Sequence, residues 1–103
     1  MSLSKIRKKA KKKPPRFVIF GSGYHGRLAL RKLISKSKKN KVFFIDNDKT
    51  KHDKTCLGKK IFPVSKIKTL NFDKLVMCGR NIQEQISQLR EYNIPLKKFL
   101  FFA

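Results

Sequence analysis

The stretch Arg16-Phe-Val-Ile-Phe-Gly-Ser-Gly-Tyr-His-Gly26 decides the fold class of this chain. Its first five residues are almost wholly apolar and rich in β-formers, which is typical of a strand buried on both faces of a parallel sheet. The next six fit the pattern G-x-G-x-x-G, and apolar residues then recur at helical spacing to about Ser37. A strand, a glycine loop and a helix in direct succession predict the first unit of a dinucleotide-binding α/β fold.

Apolar strands and amphipathic helices alternate along the rest of the chain. Further strands are predicted at about 42–46, 61–64, 75–78 and 98–102, and a second helix at about 81–92. Asn81 and Glu84 predict a capping box at the start of that helix. Residues 49–58 are interpreted as a polar loop. The alternation predicts a Rossmann-like parallel sheet of about five strands in the order 3-2-1-4-5, with helices on both faces.

The charge of the chain is strongly positive and unevenly placed. The 103 residues include 27 Lys and Arg but only 6 Asp and Glu, which gives a net charge of +21. Residues 1–15 are predicted to be a basic, mobile arm in front of one domain over residues 16–103. That length is too short for a complete two-domain dehydrogenase. Further cations precede each predicted strand, which favours either solvated strand starts or a surface for a polyanion.

The cysteines and the hydropathy pattern bear on the compartment. Cys56 and Cys78 lie 22 residues apart and match no metal or redox spacing, so no metal site is predicted and Cys78 is interpreted as a buried thiol. No apolar run approaches the ~18 residues that span a bilayer, and no signal-peptide pattern is present. Unpaired thiols and these absences together predict a cytoplasmic protein.

The glycine loop carries the chemistry that the sequence predicts. Gly21 permits the tight turn, Gly23 lets a phosphate approach the backbone, and Gly26 lets the helix pack close to the sheet. The N–H groups at the helix start favour an anion. Asp46, which follows Gly21 by 25 residues and ends the second strand, is a candidate acceptor for ribose hydroxyls. The alternative is a glycine turn that only lets strand and helix pack.

A second turn is predicted to face the glycine loop. The residues after the fourth strand lie across the crevice at the switch point of the sheet, where Arg80 either pairs with a phosphate or is merely solvated. No catalytic residue is predicted. The candidate nucleotide- and phosphate-binding residues are Gly21, Ser22, Gly23, Tyr24, His25, Gly26, Asp46, Asn47, Asp48, Gly79, Arg80 and Asn81.

Several segments carry a family resemblance: Phe20–Arg27, Phe44–Asp48, Gly58 with Ile61–Val64, and Met77–Asn81. Over about residues 16–102 the chain resembles the N-terminal domain of bacterial sugar acetyltransferases, which act on sialic acid or UDP-4-amino sugars. The resemblance implies that the glycine loop, the acidic strand end and the later turn hold a nucleotide sugar. The same unit resembles accessory domains beside bacterial sugar methyltransferases.

The chain departs from that family in two ways. Tyr24 stands where the acetyltransferases usually have glycine. The chain also has no counterpart of their left-handed β-helix, which carries the catalytic histidine and the acetyl-CoA site.

The predicted function is therefore a non-catalytic domain that binds a nucleotide or nucleotide sugar, with UDP compounds favoured, in bacterial surface-glycan biosynthesis. A separate catalytic protein is an implied partner, and the arm leaves weak polyanion binding open. One alternative is the NAD(P)-binding domain of a reduced oxidoreductase. Another is a basic interaction module with a vestigial crevice.

Overall fold

The glycine-loop unit lies at the centre of the sheet in the computed structural model, which describes residues 14–102. The predicted arm, apart from Pro14 and Pro15, lies outside the described residues. The strands are β1 (Arg16–Phe20), β2 (Lys41–Asp46), β3 (Thr55–Cys56), β4 (Lys59–Pro63), β5 (Lys74–Cys78) and β6 (Phe99–Phe102), and the helices are α1 (Tyr24–Lys36) and α2 (Ile82–Leu89). Short 3-10 turns cover Lys49–Lys51, Val64–Lys68, Arg90–Tyr92 and Leu96–Lys98.

The sheet has six strands in the order β3-β4-β2-β1-β5-β6. Every neighbouring pair is parallel except β3 and β4, which are antiparallel. The five predicted strands keep the predicted order and direction, because they correspond to β4, β2, β1, β5 and β6. The Rossmann-like α/β fold is therefore confirmed, with one strand more than predicted.

The additional strand corrects the interpretation of residues 49–58 as a polar loop. Thr55 and Cys56 pair with Lys60 and Lys59 in a hairpin. Leu57 and the glycine after it form the two-residue turn with φ of 50° and 80°. Two residues with positive φ match the twist of a tight hairpin. A leucine gives no sequence signal for that conformation, which is why the hairpin was not predicted.

The side chains of β1 alternate between two hydrophobic clusters, one on each face of the sheet. Phe17 and Ile19 pack in the cluster beneath α1. Val18 and Phe20 pack in the cluster beneath α2 and the Val64–Lys68 turn. Both faces of the strand are covered, which explains why β1 is apolar throughout. The prediction of helices on both faces is confirmed.

The second helix is shorter than predicted, and its start differs. It ends at Leu89, and the following 3-10 turn stops at Asn93, which adopts a left-handed conformation with φ of 52°. Asn81 occupies the N-cap position, but its side chain makes no capping hydrogen bond. Its φ of −102° and ψ of 33° lie outside the extended region that a capping side chain requires. The predicted capping box with Glu84 is therefore wrong.

The amino ends of the strands contain an acid among the predicted cations. The N–H of Arg16 donates to Oδ2 of Asp73 at 2.7 Å, and the N–H of Asp73 donates to the carbonyl of Arg16 at 2.9 Å. The ammonium group of Lys74 donates to the carbonyl of Lys97 at 2.8 Å. At this edge, the charged side chains of Asp73 and Lys74 therefore form hydrogen bonds that hold neighbouring segments of the fold together. Within residues 14–102, no helix combines the length and apolar character needed to cross a membrane.

Candidate nucleotide site

The three glycines of the loop differ in what the fold requires of them. Gly21 has a φ of 97°, and its N–H donates to the carbonyl of Ile45 at 2.7 Å. A Cβ on Gly26 would collide with the backbone carbonyl of Gly21. A Cβ on Gly23 would meet no atom within 4 Å. Backbone conformation and packing therefore explain Gly21 and Gly26, whereas nothing within the described chain explains the absence of a side chain at Gly23.

The start of α1 offers free N–H groups beside this open position. Gly23 is the N-cap residue, and the first helical hydrogen bond runs from the N–H of Arg27 to its carbonyl at 3.0 Å. No acidic side chain lies in the first turn of the helix. The N–H groups of the first turn have no partner inside a helix, and the helix dipole is positive at this end. The arrangement suits an anion in contact with the backbone.

Asp46 holds the glycine loop against the end of β2. Its Oδ2 accepts hydrogen bonds from the N–H and the hydroxyl of Ser22, both at 2.8 Å, and its Oδ1 accepts one from the N–H of Asp48 at 2.9 Å. Burial acts to raise the pKa of Asp46. The hydrogen bonds from Asp48 and Ser22 and the charge of Lys51 outweigh that effect, so its pKa lies below the ordinary value.

These bonds limit what Asp46 and Ser22 can offer a ligand. A carboxylate has roughly four acceptor positions, and three hydrogen bonds from within the chain occupy positions on Asp46. The N–H of Ser22 is likewise committed. The free N–H groups of the loop therefore begin at Gly23, and Asp46 acts mainly as the anchor of the loop.

The two residues after Asp46 also fix local structure. The side-chain amide of Asn47 exchanges two hydrogen bonds with that of Gln88 on α2, at 3.0 and 2.7 Å. The carboxylate of Asp48 accepts from the hydroxyl of Thr50 at 2.6 Å and from its N–H at 3.0 Å. Those two bonds hold the pKa of Asp48 below its ordinary value. Both side chains therefore shape the loop after β2.

Most of the other predicted residues meet in one cleft of about 190 Å³, here called the loop cleft. It lies between the glycine loop and the turn after β5, on the two sides of the predicted switch point. The predicted residues that line it are Gly21, Gly23, Tyr24, His25, Gly26, Gly79, Arg80 and Asn81, and the lining is completed by Phe20, Cys78 and Gln85. That these residues bind a nucleotide stays a prediction.

Two aromatic side chains of the glycine loop border the loop cleft. The ring of His25 lies against Gly79, which has a φ of 90° and whose Cβ, if present, would lie 3.6 Å from that ring. The rings of Tyr24 and His25 meet edge to face with centroids 5.3 Å apart. Tyr24 is 64% exposed. It therefore presents a large aromatic surface at the side of the cleft.

Gln85 and Cys78 also line the loop cleft, and they differ in hydrogen bonding and reactivity. Among residues 14–102, Oε1 of Gln85 is buried without a hydrogen-bond partner. Sequence reasoning missed Gln85, although it lies one helical turn after Asn81 and its N–H donates to the carbonyl of Asn81. The thiol of Cys78 is buried, as predicted, and burial raises its pKa to about 11. It therefore stays protonated and unreactive at neutral pH.

A second cleft, here called the basic cleft, lies on the other side of the glycine loop. Its volume is about 200 Å³, and its lining consists of Ser22, Arg27, Lys51, Lys54, Thr55, Cys56 and Ile61. Of these, only Ser22 was among the predicted binding residues. The β3–β4 hairpin and the turn before it form one wall of the basic cleft. Because the sequence did not predict the hairpin, it did not predict the cleft either. Three lysine and arginine side chains on the β2–β3 segment and α1 were the available signal.

A cavity larger than either cleft lies away from the predicted residues. It has a volume of about 530 Å³ and is formed mainly by the segments before β5 and β6, including Leu70, Phe72, Tyr92 and Ile94. It therefore lies toward the amino ends of these strands, whereas the glycine loop lies at the carboxyl ends. Among residues 14–102, no three His, Cys, Asp or Glu side chains are grouped so that they could hold a metal ion.

Solved structures share this fold at low sequence identity. UDP-D-quinovosamine 4-dehydrogenase from Vibrio fischeri is 21% identical, with a TM-score of 0.66 over 87% of this chain and 79% of that one. RSP, a Rex-family repressor, is 16% identical, with a TM-score of 0.69 over 99% of this chain and 50% of that one. The chain thus spans half the length of the repressor. These similarities show the Rossmann-like fold.

Sequence comparison shows the family. No curated protein is significantly similar in sequence. The family model described as "C2185-like, N-terminal" matches residues 14–100, which include β1 to β5 and both helices. The Rossmann-like fold that the sugar acetyltransferase resemblance implies is confirmed, whereas these comparisons give no support for its links to acetyl transfer and glycan biosynthesis. The chain belongs to the C2185-like N-terminal domain family.

Proposed function

We propose that this chain is a nucleotide-binding domain whose ligand places a phosphate against the start of α1. The observation that carries the proposal is Gly23. It is the N-cap residue of α1, and the space where its Cβ would lie is open. A phosphate that contacts the free N–H groups of Gly23 and the following residues uses that space, because a side chain there would obstruct it.

The ligand extends from the phosphate into the loop cleft. Gln85 supports this step because it lines the cleft and its Oε1 has no partner among the described residues, so a rotation of this side chain would bring an unpaired acceptor to a hydroxyl or N–H of the ligand. Tyr24 and His25 offer aromatic surface at the same cleft. A sugar or a second nucleoside meets these groups equally well, so two ligand classes follow.

The first ligand class is a nucleotide sugar of the UDP type. The sequence resemblance supports it, and one of the structural neighbours is named for UDP-D-quinovosamine. In this form of the proposal the chain binds the nucleotide sugar in the cytoplasm during surface-glycan synthesis, and a separate protein performs the reaction. The second class is NAD(P), which the G-x-G-x-x-G pattern supports, as does the neighbour's name as a dehydrogenase.

Calorimetric titration of the purified chain with UDP, a UDP-sugar, NAD⁺ and NADP⁺ tests the proposal. We expect at least one to bind. We expect Gly23→Val to abolish that binding, because the branched side chain fills the space that the phosphate needs. The variant is suitable because Gly23 has a φ of −81° and a ψ of −156°, an extended conformation outside the left-handed region that favours glycine.

Thermal unfolding provides the control. Without ligand, Gly23→Val should lose no more than ~1 kcal/mol of stability, because its Cβ meets nothing within 4 Å and an apolar side chain at an N-cap has an effect of about that size. With ligand at 100 times the dissociation constant, the wild type should gain about 2.7 kcal/mol of stability and the variant none. Equal binding by both proteins, or no binding by the wild type, would refute the proposal.

A further inference from the structure

We infer that the basic cleft recognises a phosphate monoester on the ribose of the bound nucleotide. This inference rests on the second ligand class of the proposed function, since it requires a nucleotide of the NADP⁺ type along the glycine loop, and a UDP-sugar carries no phosphate on its ribose hydroxyls. It adds a second phosphate subsite, distinct from the one at the start of α1. The residues that carry it are Arg27, Lys51 and Lys54.

The position of the basic cleft follows from the lining residues of the two clefts. Gly21 and Gly23 line the loop cleft, whereas Ser22, between them, lines the basic cleft. The clefts therefore lie on opposite sides of the same loop. When the 5′-phosphate of a ligand contacts the start of α1, one part of the ligand lies on the side of the loop cleft and the other on the side of the basic cleft. In this fold the ribose lies beside the end of the second strand, which is the side of the basic cleft.

The charge of the basic cleft favours a dianion. Its lining contains three cations and no acid. Lys51 lies close enough to Asp46 to lower the pKa of that carboxyl group, so part of its charge is already compensated. Arg27 is exposed at the start of α1, and Lys54 is exposed before the β3–β4 hairpin. Guanidinium and ammonium groups that converge on one cleft form charge-assisted hydrogen bonds with phosphate oxygens.

The hydrogen bonds of Asp46 and its position outside the lining of the basic cleft reduce the usual obstacle to such a phosphate, although the carboxylate keeps its charge. A carboxylate at the end of the second strand ordinarily accepts hydrogen bonds from the ribose hydroxyls and repels a phosphate there. Here Asp46 is bonded to Ser22 and Asp48, and it does not line the basic cleft. The cations of the basic cleft, rather than Asp46, therefore contact the ribose end of the nucleotide.

Four adenine nucleotides provide a direct test on the full chain. We would titrate it calorimetrically, in moderate salt, with 5′-AMP, 5′-ADP, adenosine 2′,5′-bisphosphate and adenosine 3′,5′-bisphosphate. The last three carry two phosphate groups each and differ in where the second is attached. At least one bisphosphate should bind roughly 10- to 150-fold more tightly than 5′-ADP, which is the effect of one hydrogen bond to a charged group. The preferred bisphosphate identifies the ribose position.

Charge-removing variants assign the effect to the cleft. Arg27→Gln and Lys54→Gln should each reduce the preference for the bisphosphate and leave 5′-AMP affinity nearly unchanged. Arg31→Gln is the matched control, because Arg31 is also exposed, lies one turn further along α1 and does not line the basic cleft. It should retain the preference.

Three outcomes would count against the inference. Equal binding of 5′-ADP and both bisphosphates would overturn it and leave the proposed nucleotide site intact. An equal loss in Arg31→Gln and Arg27→Gln would also overturn it, because general attraction to a chain of net charge +21 would then explain the binding. Failure of all four adenine nucleotides to bind would overturn the inference as well, and failure of UDP and NAD⁺ in addition would refute the proposed function.

Discussion

Ser22 donates two hydrogen bonds to the same oxygen of Asp46, one from its backbone N–H and one from its hydroxyl, each 2.8 Å long. Ser22 is buried, and the pair joins the glycine loop to the end of β2. The negative charge that the sequence places near a ribose therefore serves first to hold the phosphate-binding loop in position. This relationship gives Asp46 a measurable role in stability that is separate from ligand binding.

Replacing Asp46 with alanine should lower the free energy of unfolding at neutral pH by ~1–3 kcal/mol, because the N–H and hydroxyl of Ser22 lose a charged acceptor. The effect should depend on pH. The pKa of Asp46 is lower in the folded chain than its ordinary value, so its contribution is present above about pH 4 and disappears as the pH falls through the folded pKa. Urea unfolding of both proteins from pH 7 to pH 3 measures the difference.

Asp53→Asn is the control for that experiment. Asp53 is exposed and has a φ of 64°, a conformation that asparagine tolerates. The free energy of unfolding of the Asp53→Asn variant should equal that of the wild type at each pH. If the difference between Asp46→Ala and the wild type were the same at pH 3 as at pH 7, the charge of Asp46 would not be what stabilises the loop.

Alanine at Gly26 and at Gly23 should have opposite consequences for the fold. Gly26→Ala places a methyl group against the Gly21 carbonyl, which is backbone and has little room to move, so we expect a loss of ~2 kcal/mol or more. Gly23→Ala meets nothing and should cost less than ~1 kcal/mol, the usual effect of alanine at an N-cap. Chemical unfolding of the two variants measures both values, and equal losses would contradict the packing role of Gly26.

Cys78 should resist alkylation in the folded chain. Its pKa of about 11 keeps it protonated at pH 8, and its side chain is buried. In a Cys56→Ser variant, where Cys78 is the remaining thiol, iodoacetamide should label slowly in buffer and rapidly in denaturant, as followed by mass spectrometry. Rapid labelling of the folded variant would mean that the carboxyl end of β5 opens readily.

The basic amino-terminal segment should contribute to binding of polyanions. Residues 1–13 contain seven Lys and Arg and no acid. We expect RNA to bind the full chain with an affinity that falls steeply with salt, because each neutralised phosphate releases counterions. Deletion of residues 1–13 should weaken that binding and reduce its salt dependence, while nucleotide binding stays unchanged. Binding that is undetectable or independent of salt would indicate that the positive charge reflects composition alone.

The sequence alone predicted both helices and five of the six strands of the described chain, with their order in the sheet. An apolar run, a glycine motif and a helical repeat are local patterns, and they located β1, the loop and α1 to within a residue of their observed bounds. The order of the five predicted strands followed from right-handed crossovers combined with helices on both faces of the sheet, as in a Rossmann-like fold. The role of Gly26 was also predictable, since close contact between helix and sheet leaves no room for a side chain there.

Only the tertiary structure decided which side chains meet. Asp46 is hydrogen-bonded to Ser22, which is 24 residues away in the sequence, and Asn47 is hydrogen-bonded to Gln88, which is 41 residues away. These contacts form because segments distant in sequence come together at one edge of the sheet. The basic cleft depends on a hairpin whose turn requires a leucine with positive φ, and local propensity disfavours that conformation. Secondary structure follows from nearest neighbours along the chain, whereas a hydrogen-bond partner or a charged cleft is set by neighbours in space.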